Sequence, residues 1–266
     1  MAGLSPNLHE LNILLAEPSS TQRRIIIQHL REAGVTHIDD AATVDDAITR
    51  ARINPPDLVA SAMYFDDRTG TDLLVELRRD PRLGDVPFML VSSERHPHNL
   101  EGIRQSGVMA ILPKPFRAHE LRLALDNTLS YLEPRRLELD HADVEDVRVL
   151  IVDDSALSRR FLRNTLGQMG VEQLVEADNG ASAVERLQEQ SFDLVVTDYN
   201  MPEMDGERLV EYIRNHGSDP TVPVLMVTCE RDSARLGSIR QSGVSALCDK
   251  PFDMDTVRGI LHRLLN

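Results

Sequence analysis

The sequence predicts an α/β protein made of two tandem copies of a doubly wound parallel sheet, five strands to each copy. Three observations carry that expectation. The chain matches itself without a gap at an offset of 136 residues: IRQSGV at Ile103 to Val108 returns at Ile239 to Val244, and Lys-Pro-Phe at 114–116 returns at 250–252. Each copy alternates short apolar, β-branched runs with amphipathic stretches, as a sheet covered by helices on both faces requires. The 266-residue length suits two domains that each bury a core, so the repeat is not a solenoid.

In the second copy the apolar runs predict strands near 147–153, 172–176, 193–198, 222–228 and 245–249. The amphipathic stretches predict helices near 155–169, 180–189, 206–216, 232–242 and 253–265. The clearest segment is FDLVVTDYNMPEMDG, Phe192 to Gly206. Leu194 to Thr197 read as a strand buried on both faces, Asp198 ends it, a proline-punctuated loop follows, and Gly206 opens the next helix. The first copy repeats these elements 136 residues earlier and occupies 8–131, the second occupies 147–266. The intervening 132–146, LEPRRLELDHADVED, is an acidic linker, either flexible or partly helical and docked.

A net charge of -14 and a pI near 5.0 argue against nucleic acid or an anionic membrane as the main partner. No apolar run approaches the roughly 20 residues that span a bilayer, and the amino terminus lacks the basic-then-apolar pattern of a secretory signal, so the expectation is a cytoplasmic protein. Cys229 and Cys248 have no paired spacing and read as small buried apolar groups. Lysine occurs at Lys114 and Lys250 alone, against 29 basic residues in all, so both positions ask for a reason.

Five residues of the second copy fall at carboxyl ends of expected strands: Asp153 and Asp154, Asp198, Thr228 and Lys250. In a doubly wound sheet those ends converge on one crevice. Three carboxylates there repel one another unless a cation is present, and oxygen ligands favour a hard divalent ion such as Mg2+. A carboxylate can attack phosphorus, while a metal, an ammonium and a hydroxyl neutralise the equatorial oxygens.

The acidic pair, the DxxMPxMDG segment, the threonine and Lys-Pro-Phe resemble, in order and spacing, the receiver domains of bacterial response regulators in two-component signalling. The resemblance covers nearly the whole chain, as tandem chemotaxis-regulator-like (flavodoxin-like) domains with strand order 2-1-3-4-5. It implies that Asp198 is the phosphoacceptor, that Asp153, Asp154, Asp198 and the main-chain carbonyl of Asn200 hold Mg2+, and that Thr228 and Lys250 contact the phosphoryl oxygens. It implies a sensor histidine kinase or histidine phosphotransfer protein as donor and a downstream protein as target. Asn200 and Glu230 sit where family members tune access of water to the acyl phosphate, and their polarity implies a short-lived phosphoryl group. Leu247 stands where receivers usually carry an aromatic switch residue.

The offset places Ala62 at the acceptor position of the first copy, and Glu17 and Pro18 at the acidic pair; Ser92 and Lys114 are kept. That copy therefore reads as a pseudo-receiver that lacks the nucleophile, with Lys114 either merely inherited or paired to Glu17, a site for a different anion being the further alternative, and with Ile111 at its switch position. It is expected to act as a scaffold, either docking on the second copy or forming a homodimer.

The chain as a whole reads as a response regulator of a phosphorelay with self-catalysed phosphotransfer and hydrolysis and protein-contact output, without a DNA-binding module. Two alternatives stand beside it: the regulatory part of a longer effector such as a cyclic-dinucleotide enzyme, and a non-phosphorylated structural adaptor. A hydrolase using Asp198 as nucleophile fits poorly, because no histidine lies in these loops to serve as acid or base.

Overall fold

The computed structural model describes residues 8–94, 96–133, 135–228, 242–251 and 254–266. The chain divides into two compact units, Met1–Pro134 and Arg135–Asn266. In the first, β1 (Asn12–Ala16), β2 (His37–Ala41), β3 (Leu58–Ala62), β4 (Phe88–Ser92) and β5 (Ala110–Pro113) alternate with α1 (Ser20–Glu32), α2 (Val44–Ile53), α3 (Gly70–Arg79), α4 (Pro97–Arg104) and α5 (Ala118–Leu132). In the second, β6 (Arg148–Val152), β7 (Gln173–Ala177), β8 (Leu194–Asp198), β9 (Val224–Thr228) and β10 (Ala246–Asp249) are joined by α6 (Ala156–Gln168), α7 (Gly180–Glu189) and α8 (Gly206–His216), and α9 (Met254–Leu265) follows β10. The helix expected at 232–242 lies almost entirely outside the described residues, as do Cys229 and Glu230.

Both sheets are wholly parallel, with orders β2-β1-β3-β4-β5 and β7-β6-β8-β9-β10, so the expected 2-1-3-4-5 topology is present twice. The inner strands β3, β4, β8 and β9 read as near-continuous apolar runs because each is buried on both faces, whereas the edge strands β2 and β7 are more polar and only partly buried. In β1, Leu14 joins the core under α2 and α3, while Ile13 and Leu15 join the core under α1 and α5. Strand periodicity thus feeds two helix layers from one short run. Leu150, Val152, Val195, Val224 and Met226 form the corresponding core under α7 and α8.

Residues 135–146, expected as linker, pack on the second unit. Leu137 is buried and its amide donates to the Met169 carbonyl at 2.8 Å, and Val144–Asp146 forms a 3-10 turn. Ser155 caps α6, its hydroxyl oxygen accepting from the Ser158 amide at 3.3 Å.

Gly206 shows how closely α8 is seated against the edge of β8. A Cβ there would lie 2.2 Å from the Asp198 carbonyl oxygen, and the twin Gly70 would bring one to 2.3 Å from the Ala62 carbonyl. Gly206→Ala is therefore expected to cost about 1–3 kcal/mol through forced backbone displacement, read as a lower denaturation midpoint. An unchanged midpoint would contradict that close seating.

Candidate functional site

The order β7-β6-β8-β9-β10 sets the carboxyl ends of β6, β8 and β9 side by side. Asp153 follows β6, Asp198 ends β8, Thr228 ends β9, and Lys250 follows β10. Asp198 lies in register with Val227, next to Thr228. The Lys250 amide donates to the Thr228 carbonyl at 2.8 Å, which aims the lysine along the sheet edge.

The Lys250 ammonium is almost wholly buried and has three acceptors for its three N–H bonds: Asp153 Oδ2 at 2.6 Å, Asp198 Oδ1 at 2.9 Å and Ser158 Oγ at 3.2 Å. Asp153 is satisfied on both oxygens. Oδ1 accepts from the Ser155 amide at 2.9 Å, and Oδ2 also accepts from the Ser158 hydroxyl at 2.6 Å. Asp198 differs: its Oδ2 is buried and has no hydrogen-bond partner among the described residues. An unpartnered buried carboxylate oxygen is costly. It is also the carboxylate oxygen of the Asp153–Asp198–Lys250 cluster that no donor among the described residues holds.

Burial pushes the Asp198 carboxyl up to about 6, with the charges of Asp153 and Asp154 adding to it and Lys250 opposing. Burial works against the Lys250 ammonium, but Asp198 and Asp153 outweigh it and hold that group above the ordinary lysine value. Asp154, more open to solvent, is raised by partial burial and then by the charge of Asp153. Asn200 is exposed in the loop after β8, and Thr228 is fully buried.

The sign of the Asp198 shift fixes a pH effect. Between the ordinary carboxylate value and about 6 the folded chain holds a proton that the unfolded chain has released, so this group stabilises the fold at low pH and the contribution is lost as pH rises through about 6. Between pH 5 and pH 7 wild type should lose on the order of 1 kcal/mol relative to Asp198→Asn. Urea denaturation of both proteins at the two pH values checks it, and parallel losses would contradict it.

The first unit closes the same edge differently. Glu17 takes the place of Asp153, and its Oε2 lies 2.5 Å from Lys114 Nζ while its Oε1 accepts from the Ser19 amide at 3.0 Å. Ala62 leaves no second carboxylate for the lysine. Tyr64, at the position of Asn200, donates its hydroxyl to Glu94 Oε2 at 3.2 Å, and the Glu94 amide donates to Ser92 Oγ at 3.0 Å. The retained lysine is thus engaged by the Glu17 side chain and the retained serine by the Glu94 main-chain amide.

Of the residues expected at the site, Asp153, Asp198 and Lys250 are in direct contact, Asp154 and Asn200 lie at the mouth, and Thr228 is one register step away. Ser158 was not anticipated from the sequence. Its signal is a hydroxyl on the buried stripe of α6 with Leu162, Thr165 and Leu166, where a polar group needs a partner. Leu247 and Ile111, at the two switch positions, are partly buried against the cores.

Two five-stranded parallel sheets of this order, one carrying an acidic edge with a buried lysine, define a tandem receiver protein of the two-component class. The chain belongs to the response regulator receiver domain family, whose family model matches residues 13–126 and again 149–262. It is 37% identical over 120 residues to the chemotaxis protein CheY-3 of Vibrio cholerae, across 45% of this chain and 92% of that one. It is 34% identical over 120 residues to CheY1 of Helicobacter pylori, across 45% of this chain and 97% of that one. A solved structure of the Vibrio cholerae chemotaxis protein CheY4 covers 45% of this chain and 98% of its own, with 32% identity and a TM-score of 0.42. No helix among the described residues is long and apolar enough to cross a membrane.

Proposed function

We propose that the second unit accepts one phosphoryl group on Asp198, from a sensor histidine kinase or a histidine phosphotransfer protein, and signals through protein contact, while the first unit lacks an acceptor and serves as scaffold. The observation that carries this is the buried Asp198 Oδ2, unpartnered among the described residues and beside a lysine held in place by Asp153. In the reaction an Asp198 oxygen forms the bond to phosphorus as the bond to the donor nitrogen or oxygen breaks, and the donor leaves with the electron pair. Lys250 and Thr228 then face the negative oxygens of the transferred group.

The donor set fits magnesium. Asp153, Asp154, Asp198 and the Asn200 carbonyl are hard oxygens, and the orphaned Asp198 oxygen leaves an acceptor to share. Among the described residues no three acidic, histidine or cysteine side chains form a ready-made cage. When bound, Mg2+ supplies positive charge against the phosphoryl oxygens. Asn200 and Glu230 support a short-lived phosphoform.

Incubation with acetyl phosphate and Mg2+ followed by intact-mass measurement tests the reading. One added phosphoryl group on the full chain is expected. None would favour an inert adaptor, and two would make the first unit reactive as well.

A further inference from the structure

Ser158 is the one member of the buried cluster that neither the acceptor chemistry nor the metal seat uses. Its hydroxyl donates to Asp153 Oδ2 at 2.6 Å and accepts from Lys250 Nζ at 3.2 Å, and the side chain is buried on the sheet-facing stripe of α6. The hydroxyl therefore closes a triangle with the two charged groups. It supplies Asp153 with a strong donor and gives Lys250 its third acceptor.

We propose that Ser158 is a positioning residue that pins Asp153 and Lys250 together and thereby sets how much magnesium the site needs. The inference rests on the reading of Asp153 as part of the metal seat. With Ser155 N–H on one oxygen, and Ser158 O–H and Lys250 on the other, every oxygen of Asp153 already serves a donor. A cation that shares Asp153 competes with those donors for the same electron pairs, and a hydrogen bond to a charged group is a strong competitor. Removing the hydroxyl removes one competitor and loosens the lysine.

The first unit offers an internal comparison. Position 22, the equivalent of 158, is Gln22: its main-chain N–H caps onto Ser19 Oγ as that of Ser158 does onto Ser155 Oγ, but the residue is exposed and carries no hydroxyl. There Lys114 is paired with Glu17 and is more open to solvent than Lys250, with side chains 19% and 3% exposed. The hydroxyl anchor accompanies the unit that keeps its acceptor aspartate.

Isothermal titration of MgCl2 into the full-length unphosphorylated chain tests the proposal, with circular dichroism confirming that each variant is folded. Ser158→Ala is expected to lower the Kd for Mg2+ by about fivefold, and Ser158→Thr, which keeps the hydroxyl, is expected to bind as wild type does. A Ser158→Ala Kd equal to or weaker than wild type, or a Ser158→Thr protein that follows Ser158→Ala, would overturn the assignment while leaving the metal seat standing. Absence of Mg2+ binding by wild type would overturn both.

Discussion

An Asp198→Asn variant is expected to take up no phosphoryl group from acetyl phosphate and Mg2+, a complete loss read by intact mass, while remaining folded. The amide keeps the shape of the side chain and a carbonyl oxygen for Lys250, but it has no anionic oxygen to attack phosphorus. Stability should not fall with activity. Asp198 is a carboxylate whose burial raises it to about 6, so its charged form is held against a desolvation cost that asparagine does not carry. The measurement thus separates a chemical role from a structural one: loss of uptake with a retained denaturation midpoint marks the nucleophile, whereas loss of both would mark a residue needed for folding. Uptake retained in Asp198→Asn would move the acceptor elsewhere.

Lys250→Met should give the largest loss of stability of any substitution at the site, about 3–5 kcal/mol at neutral pH. The ammonium lies between Asp153 and Asp198, both buried, and its removal leaves two carboxylates facing each other without a counter-charge. Part of that cost is relieved as Asp198 takes up a proton, so the loss should shrink as pH falls. Asp198→Asn in the Lys250→Met background should recover part of it, a non-additivity expected when two groups share one cluster. Lys114→Met should cost less, because that lysine balances Glu17 alone and is partly open to solvent. Chemical denaturation of the three single variants and the double checks the ranking. Equal costs at Lys114 and Lys250 would contradict the electrostatic account.

The architecture was legible because the two strongest signals were local and duplicated. Runs such as Leu194 to Thr197 are apolar on both faces, and the repeat supplied a second reading of each element, so the described strands and helices begin and end within one or two residues of their expected places, except that α5 runs three residues further, to Leu132. The two charged clusters were legible for the same reason. The offset that sets Lys250 beside Asp153 also sets Lys114 beside Glu17, and both pairs are present.

Features that depend on how a helix is phased against the sheet edge were less accessible. Ser158 reads in sequence as an ordinary residue of an amphipathic helix, and only the packing of α6 brings its hydroxyl to Asp153 and Lys250. The contact from Tyr64 to Glu94 spans two loops whose approach no spacing encodes. The docking of 135–146 was likewise open, since the apolar content of Leu137 and Leu139 suits a flexible linker as well as a partly helical, docked one, and it is the burial of Leu137 that decides it.

The central claim is that one carboxylate, Asp198, receives the phosphoryl group and that its twin position cannot. After incubation with acetyl phosphate and Mg2+, borohydride reduction converts an aspartyl phosphate to homoserine, which tandem mass spectrometry locates in the peptide map. The account predicts homoserine at position 198 and at no other aspartate. Homoserine at another aspartate, or an unmodified Asp198 in a protein whose mass shows uptake, would contradict it.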